Sequence, residues 1–353
     1  MAAIAWKTVQ SLLQQTSRTF YLTLRVLPSS VRTQIGIAYL LARTTDTIAD
    51  TDLVPLDQRL QALKDLRERI IGLRKVPVHF GELAQQQGIA AERTLLEKAE
   101  VSITLLRTLE HDDLELVLKV LDLIATGQEM DLHRFAGATP GRVASLHVES
   151  ELDEYTWLVA GCVGEFWTRI CRRHIFPRAQ LDDTQLLADA IRFGKGLQLI
   201  NILRDLPADL RKGRCYLPDQ ELFKTAGLLP HDLLDPANAK RLRPLYNRYL
   251  DLAESYLAAG WNYTNCLPWR CIRVRLACAW PILIGLGTIA RLRTANPLDP
   301  SQTVKITRGE VRGILLASVL RYPFPAAWRT LAPLPANLAA GTGKAVASVV
   351  KVS

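Results

Sequence analysis

The sequence predicts an all-α protein folded as one domain, and three observations carry that expectation. Apolar residues recur at three- and four-residue steps over most of the chain, the spacing that stacks them on one face of a helix. No stretch sustains the alternation of a half-buried strand, and hairpin dipeptides are scarce. The breaks between stripes are short, with no Gly/Ser- or Pro-rich linker and no internal repeat of fixed period.

In chain order, Val9, Leu12 and Leu13 begin one apolar stripe, and residues 35–41 carry apolar and small side chains into a second. Leu60, Leu63, Leu66, Ile70 and Leu73 recur with charges between them. Residues 114–124, 158–170 and 188–203 repeat the pattern. Breaks are expected at 75–88, at 137–142 (GATPGR), at 228–237 and at 294–301 (TANPLDPS), where Pro and Gly cluster. After Tyr322 come Pro323, Pro325, Pro333 and Pro335 and then an Ala/Gly/Val-rich end, expected to be irregular or loosely packed. The expected division is therefore one domain over 1–330 and an irregular tail over 331–353.

With 48% apolar and 22% charged residues in 353, the chain is too apolar for disorder. Lys and Arg total 44 against 35 acidic residues, a net charge of +9 that favours an anionic partner. The basic residues are spread out and lack the aromatic interleaving of a stacking platform, which argues against nucleic acid. No apolar run approaches the ~20 residues that span a bilayer. The first twenty residues contain Lys7 and no long apolar core, a poor signal peptide. Cys162, Cys171, Cys215, Cys266, Cys271 and Cys278 are scattered and form no C-x-x-C pair. They read as thiols of a reduced, cytoplasmic protein, mostly filling core space.

Acidic residues spaced i,i+4 occur three times, as Asp46/Asp50, Glu149/Asp153 and Asp205/Asp209. On a helix this spacing stacks two carboxylates about 6 Å apart along the axis, where like charges repel by a few tenths of a kcal/mol. Glu149/Asp153 lies in the generally acidic ESELDE and reads as a solvated face. The other two pairs each close an apolar helical run, IAYLLARTTDTIAD and GLQLINILRDLPADL. Such a pair faces a cavity or a partner. Hard oxygen donors in small number suit Mg²⁺, which keeps waters and completes its shell with substrate phosphate. Arg43, Arg204 and Arg214 flank the pairs, and Arg18 lies upstream in TSRTF. Guanidinium groups grip phosphate oxygens in a bidentate manner, so the combination reads as a diphosphate site.

The segments YLLARTTDTIAD and NILRDLPADLRKGRCYLP resemble the two aspartate-rich signatures of the squalene/phytoene synthase family. TSRTF is similar to its N-terminal Ser-Arg motif, and YTWLVAGCVGEFW to its central Tyr-x-x-x-Val-Ala-Gly-x-Val-Gly segment. The resemblance runs in order from Ser17 to Tyr216. It implies an all-α, single-domain isoprenoid-synthase helical fold with a central cavity, and head-to-head coupling of two prenyl diphosphates. By motif position, Asp46, Asp50, Asp205 and Asp209 would hold Mg²⁺. Arg18, Arg43, Arg204 and Arg214 would bind phosphate oxygens, helped by Ser17, Tyr39, Gln198 and Asn201, and Tyr155 would lie near the reacting carbons. Tyr39 and Tyr155 could offer a π-face to a cation or a hydroxyl for proton transfer. Gly161 and Gly164 could leave room for prenyl chains or serve close helix packing. Two departures stand out: Ala49, where some relatives carry an acid, and Pro207, which sits inside the second pair and could kink its helix and turn Asp209 aside.

Within the family, WPILIGLGTIARLR followed by TVKITRGEV resembles the squalene synthase segment, which makes Lys305 and Arg308 candidates for the phosphates of NADPH. Thr307 replaces one of that segment's basic residues. No G-x-G-x-x-G follows a strand, so a nicotinamide would have to use the helical cavity itself. The expectation is an NADPH-dependent squalene synthase acting on farnesyl diphosphate. The alternatives are a phytoene or dehydrosqualene synthase, which eliminates a proton without NADPH, a hydroxysqualene-forming relative, and, in another class, a basic helical membrane- or nucleic-acid-binding module. Arg312, Arg321 and Arg329 alternate with apolar residues and could touch lipid at a membrane surface.

Overall fold

A computed structural model describes residues 2–334, with side chains from Trp6 onward except those of Arg18 and Thr19. The first half holds α1 (Ala2–Thr16), α2 (Arg18–Val26), α3 (Ser29–Ala49), α4 (Leu56–Ile71), α5 (Gly81–Gln85), α6 (Ala90–Glu97), α7 (Ala99–Leu106) and α8 (His111–Arg134). After it come α9 (Glu149–Thr156), a π-helical turn (Trp157–Gly161), α10 (Cys162–His174), α11 (Asp183–Arg211) and α12 (Asp219–Ala226). The chain continues through α13 (Ala239–Cys266), α14 (Ile272–Leu292), α15 (Arg308–Arg321) and α16 (Pro325–Arg329). The all-α expectation holds. Among the described residues, the strands are β1 (Ala144–Ser145) and β2 (Arg214–Cys215), a two-residue parallel pair. The expected breaks fall as loops or 3₁₀ turns, except that the first one encloses α5.

The helices close on one another. α3 packs on α8, α8 on α10 and the π turn, and α11 on α10, α13 and α14, while α2 bridges α14 back to α3. The core lies on both sides of this ring, around α1, α3, α7 and α8 on one side and α11, α13 and α14 on the other. Close approach depends on missing side chains. A Cβ on Gly164 would come 2.0 Å from the Ala190 carbonyl oxygen, and one on Gly194 would come 2.2 Å from that of Ala160. Gly161 likewise packs under Lys195, Trp157 and Ile191. Close helix packing is thus what Gly161 and Gly164 provide, although Gly164 also borders a cavity.

α14 is long and apolar enough to cross a bilayer, contrary to the expectation from the sequence, but 67% of its most apolar window is buried against neighbouring helices. Within 323–334, one short helix packs onto the fold through a single anchor. Trp328 on α16 is fully buried, stacked on Trp261 at 5.3 Å and edge-on to Tyr322 and Trp269. The buried Arg275 guanidinium lies over Trp269 at 4.7 Å and Trp328 at 5.4 Å, and donates to the Leu267 carbonyl at 2.7 Å. The expected tail over 331–353 falls from 335 onward outside the described residues.

Candidate active site

Asp46 sits on the last turn of α3, and Asp50, whose N–H donates to the Asp46 carbonyl at 2.9 Å, caps it. Gln128 on α8 donates to Asp46 Oδ1 at 2.5 Å. Arg43, one turn earlier, is 3.9 Å from Asp46 and 2.6 Å from Glu92 of α6. Burial, reinforced by the charge of Asp50 and opposed by Arg43, pushes the Asp46 carboxyl up to about 7. Burial also raises Asp50, against the pull of Arg214, Lys212 and Arg43.

Asp205 and Asp209 lie on α11, which runs unbroken through Pro207. The proline therefore does not turn Asp209 aside. Its carboxyl feels Asp205, Asp131, Arg214 and Lys212, and burial with the Asp205 charge raises it to about 7. Arg204 grips both oxygens of Asp205, at 2.8 and 2.6 Å.

Arg214 and Lys212 tie the two acidic pairs together. Gly213, with φ +78, turns the chain after α11 so closely on Thr139 that a Cβ there would lie 2.4 Å from the Thr139 nitrogen. Pairing of Arg214 with Ala144 across β1 and β2 then fixes the arginine backbone. Its guanidinium is 3.9 Å from Asp50 and 2.8 Å from Asp52. Asp52 also meets Lys212 at 2.9 Å and Arg59 at 3.5 Å. These groups and Asp131 line a polar cleft of about 280 Å³.

Asp131 on α8 is 92% buried by its 8% exposure, and Tyr216 donates to its Oδ2 at 2.8 Å. Its Oδ1 has no partner. Burial, eased by the Tyr216 hydrogen bond, leaves the carboxyl raised to about 6. Tyr155 stacks on Tyr216 with ring centroids 5.0 Å apart and shares a hydrogen bond with it, and the charges of Asp131, Asp46 and Asp50 all bear on its hydroxyl. Burial raises that hydroxyl well above its ordinary value.

Beside the acidic cluster opens a second cavity of about 500 Å³, lined by apolar groups of α2, α10, α11, α14 and α15. Phe20, Trp167, Phe193 and Trp280 form part of its wall, and Gln198, Asn201 and Arg204 bring polar groups to it. Arg204 thus borders the apolar cavity while holding Asp205. Tyr39 stacks on the cavity-lining Phe20 at 4.2 Å and hydrogen-bonds Ser17.

A sequence model of the family described as squalene/phytoene synthase matches residues 13–310. The chain belongs to the squalene/phytoene synthase family. A presqualene diphosphate synthase of Sinorhizobium fredii is 31% identical over 294 residues, covering 82% of this chain and 90% of that protein. A squalene synthase of Schizosaccharomyces pombe is 25% identical across 87% of this chain, and a bifunctional lycopene cyclase/phytoene synthase of Blakeslea trispora is 27% identical across 88%. This chain spans 64% and 46% of those two proteins. A TcSQS structure in complex with a ligand superposes with a TM-score of 0.74 at 21% identity, covering 93% of this chain and 90% of that one. A dehydrosqualene synthase structure superposes at 0.60 and 20% identity, covering 91% and 97%. These likenesses establish the squalene synthase type of isoprenoid-synthase fold.

Of the residues that the family resemblance selects, Asp50 and Arg214 line the polar cleft, and Gln198, Asn201 and Arg204 line the apolar cavity. Asp46, beside Asp50 and Arg43, and Asp209, beside Asp205, Arg214 and Lys212, line neither wall but bear on the cleft through their charges. Tyr39 and Ser17 lie behind Phe20 of the cavity wall. Tyr155 lies against Tyr216 and not on either cavity wall. The side chain of Arg18 lies outside the described residues. Lys305 and Arg308 are exposed and line neither cavity. Thr307 caps α15, accepting from the Glu310 N–H at 3.2 Å, which accounts for a hydroxyl where a basic residue was expected. Glu149 and Asp153 pair with Arg248 and Lys195 away from the site.

The donors fit Mg²⁺. Two carboxylate pairs hold like charges close, and a further buried carboxylate offers an unpartnered oxygen. Among the described residues no three ligand side chains converge on one point. Mg²⁺ commonly takes one or two carboxylates and leaves its other positions to water and phosphate, so the fit rests on the two pairs and not on a preformed ligand group. Sequence reasoning missed Gln128, Asp131, Tyr216, Lys212, Asp52 and Arg59. Lys212 and Tyr216 lay within the second aspartate-rich segment without being singled out, and Asp131 left a trace as an acid among the buried positions of the α8 stripe.

Proposed function

We propose that this chain is a farnesyl-diphosphate farnesyltransferase, joining two farnesyl diphosphates head to head through presqualene diphosphate and reducing the product to squalene with NADPH. The observation that carries this reading is Arg204, which lines the apolar cavity while gripping Asp205, the neighbour on α11 of Asp209, whose carboxyl feels the cleft cations Arg214 and Lys212. Diphosphate groups lie at the charged side and prenyl chains extend along the apolar wall. Asp46, Asp50, Asp205 and Asp209 would hold Mg²⁺, which would supply positive charge to the diphosphates and to the charge that develops as one leaves. Arg43, Arg204 and Arg214, with Arg18 by its motif position, grip phosphate oxygens. Gln198 and Asn201 orient the groups between cleft and cavity. Apolar walls keep water from the cation. Tyr155, near the reacting carbons by its motif position, is buried against Tyr216 behind the cavity walls. Lys305 and Arg308 offer exposed charges to the cofactor phosphates at the start of the helix whose Val311 and Leu315 line the cavity. Free thiols at all six cysteines support a reducing, cytoplasmic setting.

A second reading stops at presqualene diphosphate and needs no NADPH. The presqualene diphosphate synthase relative, matched over most of its length, favours it. One assay decides: farnesyl diphosphate and Mg²⁺, with and without NADPH, followed by product analysis. Squalene formed only with NADPH supports the first reading, and presqualene diphosphate accumulating in both supports the second. Dehydrosqualene in both, or phytoene from geranylgeranyl diphosphate, overturns both. Folded Asp46→Asn or Asp205→Asn protein that still released diphosphate at the parent rate would remove the metal assignment.

A further inference from the structure

We propose that Trp167, with Tyr263 and Cys278, forms the floor of the apolar cavity and sets the longest prenyl chain that this site accepts. The inference rests on the prenyl-coupling reading and adds to it the residues that choose the chain length.

The cavity has a direction. Its α11 wall runs from Ala190 to Arg204, about 21 Å at the helical rise of 1.5 Å per residue. Arg204, gripping Asp205, marks the charged end, so a diphosphate held there sends its chain toward Ala190. Gly164 of α10 packs on Ala190, while Gly194, a turn nearer Arg204, packs on Ala160. α10 therefore runs antiparallel to α11, and Trp167 lies one turn beyond Ala190. On α13, Gly196 packs on Tyr256 and Gly260 on Phe193, so Tyr263 also lies at the remote end. Cys278 of α14 meets both, close to the Trp167 indole and the Tyr263 hydroxyl.

Three helices thus bring one side chain each to the end of the cavity farthest from Arg204. Tyr263 and Cys278 are fully buried, and the Thr168 hydroxyl hydrogen-bonds that of Tyr263 at 3.2 Å, which fixes the ring. Trp167 is the bulkiest of the three and only partly buried, so truncating it widens the cavity more than it disturbs the core. The diphosphate is the same in every prenyl substrate, and chain length is read only where the chain ends. A packed apolar pocket discriminates by about tenfold to two-hundredfold for one methylene, and an isoprene unit is several times larger. A core cavity of about 150 Å³ binds benzene, so removing an indole makes room for one isoprene unit.

The test compares farnesyl and geranylgeranyl diphosphate as substrates of the parent, Trp167→Ala, Trp167→Leu and Trp167→Ala/Cys278→Leu proteins, with melting temperature as the check on folding. Calorimetry with the unreactive farnesyl and geranylgeranyl thiodiphosphates reads binding apart from turnover. The parent is expected to favour farnesyl. Trp167→Ala should shift the ratio of kcat/KM, and that of the two binding constants, toward geranylgeranyl by about tenfold or more, Trp167→Leu should do so by less, and the added bulk of Cys278→Leu should reverse the shift. A folded Trp167→Ala or Trp167→Leu protein whose ratios stay within about twofold of the parent overturns the proposal, as does a parent that takes both chains equally. A shifted binding ratio in a chain that releases no diphosphate sustains the floor and overturns the coupling reading. Turnover with unshifted ratios does the opposite.

Discussion

The hydroxyl of Tyr246 donates to the carbonyl oxygen of Leu203 at 3.0 Å. In a regular helix that carbonyl would accept the N–H four residues on, but residue 207 is proline and has none. Tyr246 is fully buried on α13, so the hydrogen bond comes from a neighbouring helix exactly where water cannot supply it. It lets α11 run straight between Asp205 and Asp209.

Tyr246→Phe should therefore cost about 1–3 kcal/mol, because the Leu203 carbonyl is left buried without a partner. In a Pro207→Ala background the new N–H takes over that role, and the same substitution should cost much less. Chemical denaturation of the four proteins in the cycle measures the difference. Equal costs in both backgrounds would show that the hydrogen bond does not compensate for the proline.

The carboxyls of Asp46 and Asp209, at about 7, and of Asp131, at about 6, lie above the ordinary aspartate value of 3.8. Between pH ~4 and ~7 the folded chain thus binds protons that the unfolded chain has released. Their contribution to stability is fully present below the unfolded value and is lost as pH rises through the folded values. Melting temperature should fall from pH 5 to pH 8 without Mg²⁺, and Mg²⁺ with inorganic diphosphate should raise it more at pH 8 than at pH 5. A rise with pH in the metal-free protein would contradict the sign.

Asp52 occupies the centre of three cations, Arg59, Lys212 and Arg214. An incoming diphosphate must compete with it for Lys212 and Arg214. Asp52→Asn should strengthen binding of inorganic diphosphate, measured by calorimetry, by about fivefold, the equivalent of one partly exposed ion pair of about 1 kcal/mol. Weaker binding would instead make Asp52 a contributor to the bound state.

Trp328→Ala should destabilise the fold by about 3–5 kcal/mol, since it empties the aromatic cage around Arg275. Guanidinium unfolding measures it. A loss under 1 kcal/mol would place α16 outside the cooperative fold.

The helical class, the two aspartate pairs and their arginines were legible in the sequence because each is a local pattern. Helical periodicity fixes which residues share a face within one segment, and i,i+4 spacing fixes the distance between two carboxylates. Contacts across segments leave no such trace. Asp131 and Tyr216 are 85 residues apart, and Arg214 and Asp52 are 162 apart. Only the approach of the segment after β2 to α8, and of the loop after α3 to the turn at Gly213, brings them together. The burial of Trp328 and the rescue of Pro207 by Tyr246 have the same origin. The sequence by itself determined the helices and the charged groups they present. The tertiary structure decided which charges share a cleft, which are neutralised by neighbours and where the apolar cavity opens, because burial and Coulomb forces act between residues near in space, whatever their separation along the chain.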